Sequence, residues 1–305
     1  MVVNNTPLGI GASILAGALW GLVFLAPKLA PGFLPLQLSA GRYLAYGLVA
    51  AVLIAPAWRR LLGLLGWREW RALLFLAFTG NIIYYVFLAT AVREGGVAMP
   101  SLVIGLLPIA VTLVGSRERH ALPLRRLAPS LLLSAAGLAC IGWQSLSTGG
   151  VASLLALGCA FGALVSWTIF AVHNSRWLAR LEGVSGNEWN LLVGVVTGLE
   201  ALVLAVPAFA GGMGSHSGAQ WLHFAGLVTS VAICCSILGN ALWNVASRVL
   251  PLTLVGQMIV FETLFASLYG FLWEARWPGA LEWAAMALLV GGVVACASAH
   301  AQKQD

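Results

Sequence analysis

Charged residues are scarce in this chain. Only 9% of its 305 residues are Asp, Glu, Lys or Arg, whereas 60% are hydrophobic, and the mean hydropathy is +0.93. A soluble domain carries about 25% charged residues, enough to cover its surface with groups that water solvates. Because this chain cannot cover itself in that way, its outer surface must contact lipid. The composition therefore predicts an integral membrane protein and argues against a soluble domain.

Motifs of enzyme chemistry are missing as well. The sequence contains no G-x-S-x-G, H-E-x-x-H or P-loop pattern, each of which would place reactive groups at a defined spacing. Its five cysteines fall in apolar segments without metal-ligand spacing, and an odd number spread through lipid is not a disulfide framework. The five histidines form no cluster. We therefore expect no enzyme activity, no metal and no cofactor.

Long apolar runs fill the chain instead. A helix needs about 20 apolar residues to span a bilayer, so the sequence predicts an all-α polytopic membrane protein with ten transmembrane helices. Their predicted ranges are 8–26, 36–55, 72–92, 97–115, 127–145, 151–173, 188–208, 222–246, 252–273 and 279–299. The opening "MVVNNTP" lacks the basic n-region of a signal peptide, so we expect the first run to be a span.

The basic residues predict the orientation. With the N-terminus inside, three fall outside: Lys28, Arg93 and Arg276. Twelve fall inside: Arg59, Arg60, Arg68, Arg71, Arg117, Arg119, Arg125, Arg126, Arg176, Arg180, Arg248 and Lys303. The positive-inside rule then places both termini in the cytoplasm. The net charge of +6 would face anionic lipid head groups, and we expect no nucleic-acid partner.

The two halves of the sequence resemble each other. The segment 118–140 aligns without gaps with 274–296, so that Glu118 falls on Glu274. "ASILAGALWGLVF" in helix 1 is similar to "ASLLALGCAFGALV" in helix 6, and "NIIYY" in helix 3 to "NALWN" in helix 8. Because each half has an odd number of spans, the second half crosses the membrane in the opposite orientation to the first. Two such inverted repeats are typical of secondary transporters. We predict a five-helix repeat at 1–149 and an inverted one at 150–305.

Several of these stretches resemble a known family. "GALWG" in helix 1, "GLLPIAVTLVGSRE" ending at Glu118 and "GFLWEARW" around Glu274 resemble the drug/metabolite transporter superfamily and, within it, the EamA-type ten-helix transporters. "NALWNVASRVLP" and "VSWTIFAVHN" are most similar to the YddG-type exporters of aromatic amino acids, although "GLLP" lacks the aromatics that precede the helix 4 proline there. The resemblance implies outward movement of small metabolites across a bacterial inner membrane by alternating access.

Helical spacing gathers ring and amide side chains onto shared faces. Because Asn avoids lipid unless it is hydrogen-bonded, these faces should point into the bundle. The candidate substrate-binding residues are Trp20, Asn81, Tyr84, Tyr85, Trp167, Asn240, Trp243, Asn244 and Glu262. Trp167 and Trp243 also fit an interfacial tryptophan belt, and Asn240 also fits a simple helix–helix contact.

Two charged residues interrupt apolar helices. Glu262, in "GQMIVFETLFASLYG", lies near the middle of helix 9, where an ionised group costs roughly 2.5–3.5 kcal/mol. No cation lies on its own helical face, so either a packing role as the neutral acid or a role in binding a substrate amine is open. Many EamA-type proteins have Glu-Pro at this level, whereas Thr263 follows here, so we expect an unbroken helix. Arg42, near the outer end of helix 2, could meet a substrate carboxylate or snorkel to the head groups, and we expect snorkelling.

Three functions compete. The first is export of aromatic or otherwise apolar amino acids through a central aromatic-lined cavity. The second is efflux of flat organic cations, which ring faces and Glu262 would attract. The third, a membrane enzyme or a lipid flippase, would place paired polar groups in loops that are too short here. We expect the first, with a small-molecule substrate and the lipid bilayer as partners, and a monomer is compatible with it.

Overall fold

The computed structural model describes residues 6–95, 100, 103–115, 122–149, 154–210, 216–273, 275 and 277–301. These ranges contain helices and no strand. In chain order the helices are α1 (Thr6–Leu29), α2 (Pro35–Leu64), α3 (Trp67–Glu94), α4 (Leu107–Gly115), α5 (Leu124–Gly149), α6 (Leu154–Leu178), α7 (Gly186–Phe209), α8 (Gly218–Val249), α9 (Leu252–Trp273) and α10 (Ala280–Ala301).

The prediction of an all-helical protein with many membrane spans is confirmed. Eight of these helices, all except α4 and α5, are long and apolar enough to cross a membrane. The count of ten stays a prediction, because the start of the predicted fourth span lies partly outside the described residues. Glu118, Glu274 and the residues that join the two predicted halves, 150–153, also lie outside them.

The helices extend beyond the predicted spans. The second runs to Leu64 rather than 55, through a tight 3₁₀ turn at Ala55–Ala57. The eighth occupies Gly218–Val249 rather than 222–246. Hydropathy detects only the part of a helix that lies in the hydrocarbon core of the bilayer. The backbone hydrogen bonds of the helix continue into the head-group region.

The third helix contains a π-helical stretch at Phe78–Ile83. Such a stretch shifts the backbone hydrogen bonds by one residue and leaves carbonyls for other partners, and it is frequent at functional sites. Here the Ser166 hydroxyl, on α6, donates to the Thr79 carbonyl oxygen at 2.7 Å. A Cβ on Gly80 would lie 2.3 Å from the Phe170 ring, so only glycine lets α6 approach this closely.

The eighth helix carries a second π stretch, Ala232–Gly239. The indole nitrogen of Trp20, on α1, donates to the Cys235 carbonyl oxygen at 3.0 Å. A Cβ on Gly239 would lie 2.7 Å from that same indole nitrogen. The first helix is therefore fixed to α8 by the same combination that fixes α6 to α3: a freed carbonyl and a glycine.

The ninth helix is not continuous, and the prediction of an unbroken helix 9 was wrong. Its regular parts are Leu252–Met258 and Val260–Trp273. Between them the Ile259 N–H donates to the Gly256 carbonyl at 3.3 Å, and the Glu262 N–H donates to the Ile259 carbonyl at 3.0 Å. Both bonds span three residues, so the turn is tightened without the help of a proline.

Several pairs of packed helices join the first five helices to the last five. Helix α2 packs along α7, α5 along α10 and α4 along α9, while α3 packs on α6 as α1 packs on α8. Exchanging the first five helices for the last five maps this set of pairs onto itself. At the crossing of α2 and α7, a Cβ on Gly198 would lie 2.6 Å from the Gly47 Cα, so the two backbones touch.

Candidate functional site

A buried cavity lies where α1, α2, α3, α6, α8 and α9 meet. It is lined by Trp20, Val23, Arg42, Tyr43, Gly80, Asn81, Tyr84, Trp167, Phe170, Asn240 and Glu262. Its volume is about 30 Å³. Ligand pockets generally measure roughly 300–1,000 Å³. The cavity in this structure is therefore much smaller than a ligand pocket.

The structure brings together most of the residues that the sequence singled out. Six of the nine candidates line the cavity: Trp20, Asn81, Tyr84, Trp167, Asn240 and Glu262. The other three, Tyr85, Trp243 and Asn244, are buried around it. The Asn81 amide is fixed by a hydrogen bond to the Thr197 hydroxyl at 3.0 Å, which ties α3 to α7 beside the cavity.

Three indoles form a compact cluster beside the cavity. The ring centroids of Trp20 and Trp167 are 5.6 Å apart, those of Trp20 and Trp243 are 5.3 Å apart, and those of Trp167 and Trp243 are 5.7 Å apart. All three side chains are buried, so the alternative that Trp167 and Trp243 belong to an interfacial belt was wrong. Edge-to-face and tilted packing of this kind stabilises contact between helices.

A network of amides lies next to the indole cluster, toward the end of the bundle that the charges predict to be cytoplasmic. The Asn174 amide donates to the Asn244 side-chain oxygen at 2.9 Å, and the Trp189 indole donates to Asn174 at 3.1 Å. The Asn244 amide in turn donates to the Gly186 carbonyl at 3.1 Å. These bonds hold α6, α7 and α8 together at that end of the bundle.

Arg42 points into the bundle, so the prediction that it snorkels to the head groups was wrong. Its side chain is buried, and its Nε and Nη2 atoms donate to the Ser236 hydroxyl at 3.2 and 3.1 Å. The guanidinium carbon lies 5.1 Å from the Tyr43 ring centroid and 4.9 Å from that of Tyr85. A hydroxyl and two ring faces thus replace the lipid head groups as its surroundings. Ser236 is far from Arg42 in the chain, so local sequence patterns do not reveal this hydrogen bond.

Glu262 is buried at the cavity wall, 8% exposed. It is the third residue of the second helical part of α9, where the helix dipole favours negative charge. The described residues donate no hydrogen bond to its carboxylate, and the nearby Tyr269 hydroxyl donates instead to the Ala18 carbonyl at 2.9 Å. Its own helical face carries no cation, but Arg42 lines the same cavity from α2.

The two charged residues do not pair with each other. Within the described structure, Arg42 and Glu262 are not within ion-pair distance of each other. The cavity therefore presents one group of each sign, between ring faces and amides. The sequence pattern admits Arg42 as a partner of a substrate carboxylate but favours snorkelling. It does not select Tyr43 or Phe170, because their place in the cavity depends on which helices become neighbours.

Comparisons with known proteins agree with this architecture. Residues 7–143 match the model of the EamA-like transporter family. The chain is 32% identical to "Inner membrane protein YtfF" of Escherichia coli (strain K12), over 97% of this chain and 96% of that protein. A solved crystal structure superposes with a TM-score of 0.74, covering 97% of this chain and 98% of that one. Its sequence identity is 20%, so that likeness concerns the fold alone.

Proposed function

The chain belongs to the EamA-like transporter family, and we propose that it exports amino acids with aromatic or other apolar side chains. It is a membrane transporter of the drug/metabolite superfamily and, like its relative from Escherichia coli, a multi-pass protein of the inner membrane. The substrate class and the mechanism are the parts that we propose.

One observation carries the substrate class: Arg42 and Glu262 line one cavity without neutralising each other. An α-amino acid bears a carboxylate and an ammonium group on the same carbon atom, and an arginine fork binds carboxylates through two parallel hydrogen bonds. Glu262 would accept from the ammonium group. Buried charges without partners are costly, so a zwitterion that pairs with both would be bound strongly in this medium.

The rest of the lining fits an apolar substrate side chain. Trp20, Tyr84, Trp167 and Phe170 present ring surfaces to the cavity. Ring–ring contacts of the offset or edge-to-face type contribute roughly 0.5–1.5 kcal/mol beyond the burial of apolar area. The amides of Asn81 and Asn240 add polar atoms at the same level. This combination favours amino acids with ring or branched aliphatic side chains over charged ones.

Efflux of flat organic cations is the second candidate. The ring faces and Glu262 favour it, as a carboxylate beside aromatic rings attracts cations. Arg42 disfavours it, because its guanidinium lines the same cavity and would repel a cation. A zwitterion can pair with both Arg42 and Glu262, whereas a cation can pair only with Glu262 and is repelled by Arg42.

We propose alternating access between two inverted five-helix repeats as the mechanism. The small cavity requires a second conformation that can admit substrate, and the exchange symmetry of the packing pairs supports two related halves. The π stretch of α3 contributes Gly80 and Asn81 to the cavity, the π stretch of α8 ends directly before Asn240, and the tightened turn of α9 ends at Glu262. Because the regular hydrogen-bond ladder is interrupted there, these are the places where a helix can bend at low cost.

Transport by the purified protein in liposomes tests the substrate class. Vesicles are loaded with labelled phenylalanine, labelled leucine or a flat organic cation, and release is followed for the parent and for Arg42→Gln. We expect amino-acid release by the parent, and a roughly 10- to 100-fold loss in Arg42→Gln, as for a hydrogen bond to a charged group. Arg42→Lys, which keeps the charge but not the fork, should retain part of the activity.

The opposite pattern would identify a cation exporter. In that case the parent would release the cation and neither amino acid, and Arg42→Gln would release it faster because a repulsive charge has been removed. Melting temperatures in detergent show whether each variant is folded, so that loss of transport is not confused with loss of protein.

A further inference from the structure

A second concavity shares no lining residue with the central cavity. It opens between the start of α3, the end of α6 and the α6–α7 connection, and its volume is about 750 Å³. We call it the α3–α6 cleft and define it by Arg68, Arg71, Phe75, Trp177 and Arg180. Nothing in the transport cycle proposed above uses this cleft.

The rim of the α3–α6 cleft carries three arginines. Arg68, Arg71 and Arg180 are exposed, and within the described structure none of them lies within ion-pair distance of a carboxylate. Two carboxylates also line the rim, Glu69 and Glu182. A Glu69 oxygen accepts from the Gly66 N–H at 2.8 Å, so this carboxylate caps the start of α3. Three guanidiniums are therefore available to an anion.

The floor of the α3–α6 cleft is apolar. Leu64, Phe75 and Trp177 contribute to it, and Phe75 remains 44% exposed. Phe75 follows Arg71 by one turn of α3 and Arg68 by two, so the ring lies roughly 10 Å below the first arginine along the helix axis. Positive charge thus lies at the level of the head groups and the ring surface lies at the level of the acyl chains.

We propose that the α3–α6 cleft binds one anionic phospholipid. The phosphodiester lies among the guanidiniums of Arg68, Arg71 and Arg180, which bind phosphate through planar, multiple hydrogen bonds. One acyl chain lies on Phe75 and Leu64. The arginine-rich face of the bundle is the one that the positive-inside rule predicts to be cytoplasmic, and anionic lipids are enriched in that leaflet. The proposal does not depend on the transported substrate.

Lipid binding by the whole protein in detergent tests it. Native mass spectrometry measures retention of phosphatidylglycerol and of phosphatidylcholine by the parent and by the triple variant Arg68→Gln, Arg71→Gln, Arg180→Gln. We expect the parent to prefer phosphatidylglycerol, and the triple variant to bind it roughly 100-fold more weakly, because each basic residue near the surface contributes about 1 kcal/mol. Phosphatidylcholine binding should change little.

A matched control separates a site from general surface charge. Arg59→Gln, Arg125→Gln, Arg126→Gln removes three exposed arginines on the same predicted face and outside the cleft. Equal weakening in both triple variants would overturn the proposal. So would competition by glycerol phosphate as strong as that of the whole lipid, because that result would show an anion site without a role for the acyl chain.

The proposal can also be tested if the triple variant fails to fold. If the cleft triple variant is not folded, the single variants Arg180→Gln and Arg125→Gln are compared instead, since both positions are exposed. Weaker phosphatidylglycerol binding in Arg180→Gln alone supports the site. Parent-like binding in Arg180→Gln contradicts it.

Discussion

The helices α3 and α8 contain the same backbone feature but carry different side chains next to it. Each contains a π stretch with an asparagine within it or directly after it, Asn81 in α3 and Asn240 in α8. Each offers a freed carbonyl to a side chain of the first helix of the other predicted half, Ser166 or Trp20. The backbone is thus similar where the two halves meet.

The side chains that follow each asparagine differ. In α3 they are Tyr84, at the cavity wall, and Tyr85, whose ring faces the guanidinium of Arg42. In α8 they are Trp243 and Asn244, which build the indole cluster and the amide network. Because the proposed repeats are inverted, equivalent positions lead toward opposite ends of the bundle. In α3 these side chains surround Arg42, whereas in α8 they join neighbouring helices to one another.

The contact between α2 and α7 allows the strongest test of the proposed arrangement of two halves. A methyl group at Gly198 would lie 2.6 Å from the Gly47 Cα, and backbone atoms cannot move aside as a flexible side chain can. We expect Gly198→Ala to destabilise the protein by more than about 3 kcal/mol, beyond ordinary overpacking. The measurement is the yield of monodisperse protein after extraction and its melting temperature in detergent.

The control for that test is the same substitution where space is open. A Cβ on Gly226, in α8, would meet nothing within 4 Å. Gly226→Ala should therefore leave the melting temperature unchanged or slightly raised, because alanine favours the helix over glycine. If Gly198→Ala were as stable as Gly226→Ala, the close contact of the two halves would be contradicted.

Ring removal should have a smaller effect, on transport rather than folding. Trp20→Ala and Tyr84→Ala remove cavity rings, and Tyr85→Ala removes a face that stabilises Arg42. We expect three- to tenfold slower amino-acid release in liposomes, from roughly 0.5–1.5 kcal/mol per ring contact. Trp277→Ala, at a side chain 87% exposed, is the control. Parent-like transport by all three cavity variants would mean that these rings only pack helices.

The sequence predicted the medium, the helical class and the family well, since each depends on composition or on short local patterns. It also selected Trp20, Asn81 and Asn240, because rings and amides in apolar helices rarely face lipid. It failed for Arg42, whose position near a helix end suggested the head groups although Ser236, Tyr43 and Tyr85 surround it. It also missed the π stretches and the turn at Ile259, because no proline marks them and packing between distant helices determines them.

The smallest effect that we predict concerns Glu262. Replacing it with Gln keeps the shape and an acceptor for the substrate amine but removes the negative charge and any titration. A charge-assisted hydrogen bond is about twice as strong as a neutral one, so transport should fall only about three- to fivefold. The other ionisable groups that line the cavity are Arg42, Tyr43 and Tyr84, and such groups ordinarily titrate at about pH 10 or higher.

The pH profile distinguishes the roles of this acid. Transport in liposomes is compared between pH 5.5 and 8.5 for the parent, Glu262→Gln and Glu94→Gln, which removes an exposed carboxylate. Of the residues that line the cavity, only Glu262 is a carboxylic acid. Any pH dependence of the parent that arises there should therefore disappear in Glu262→Gln and persist in Glu94→Gln. Identical rates and identical profiles for the parent and Glu262→Gln would leave Glu262 with a packing role between α9 and its neighbours, and would remove it from the substrate site.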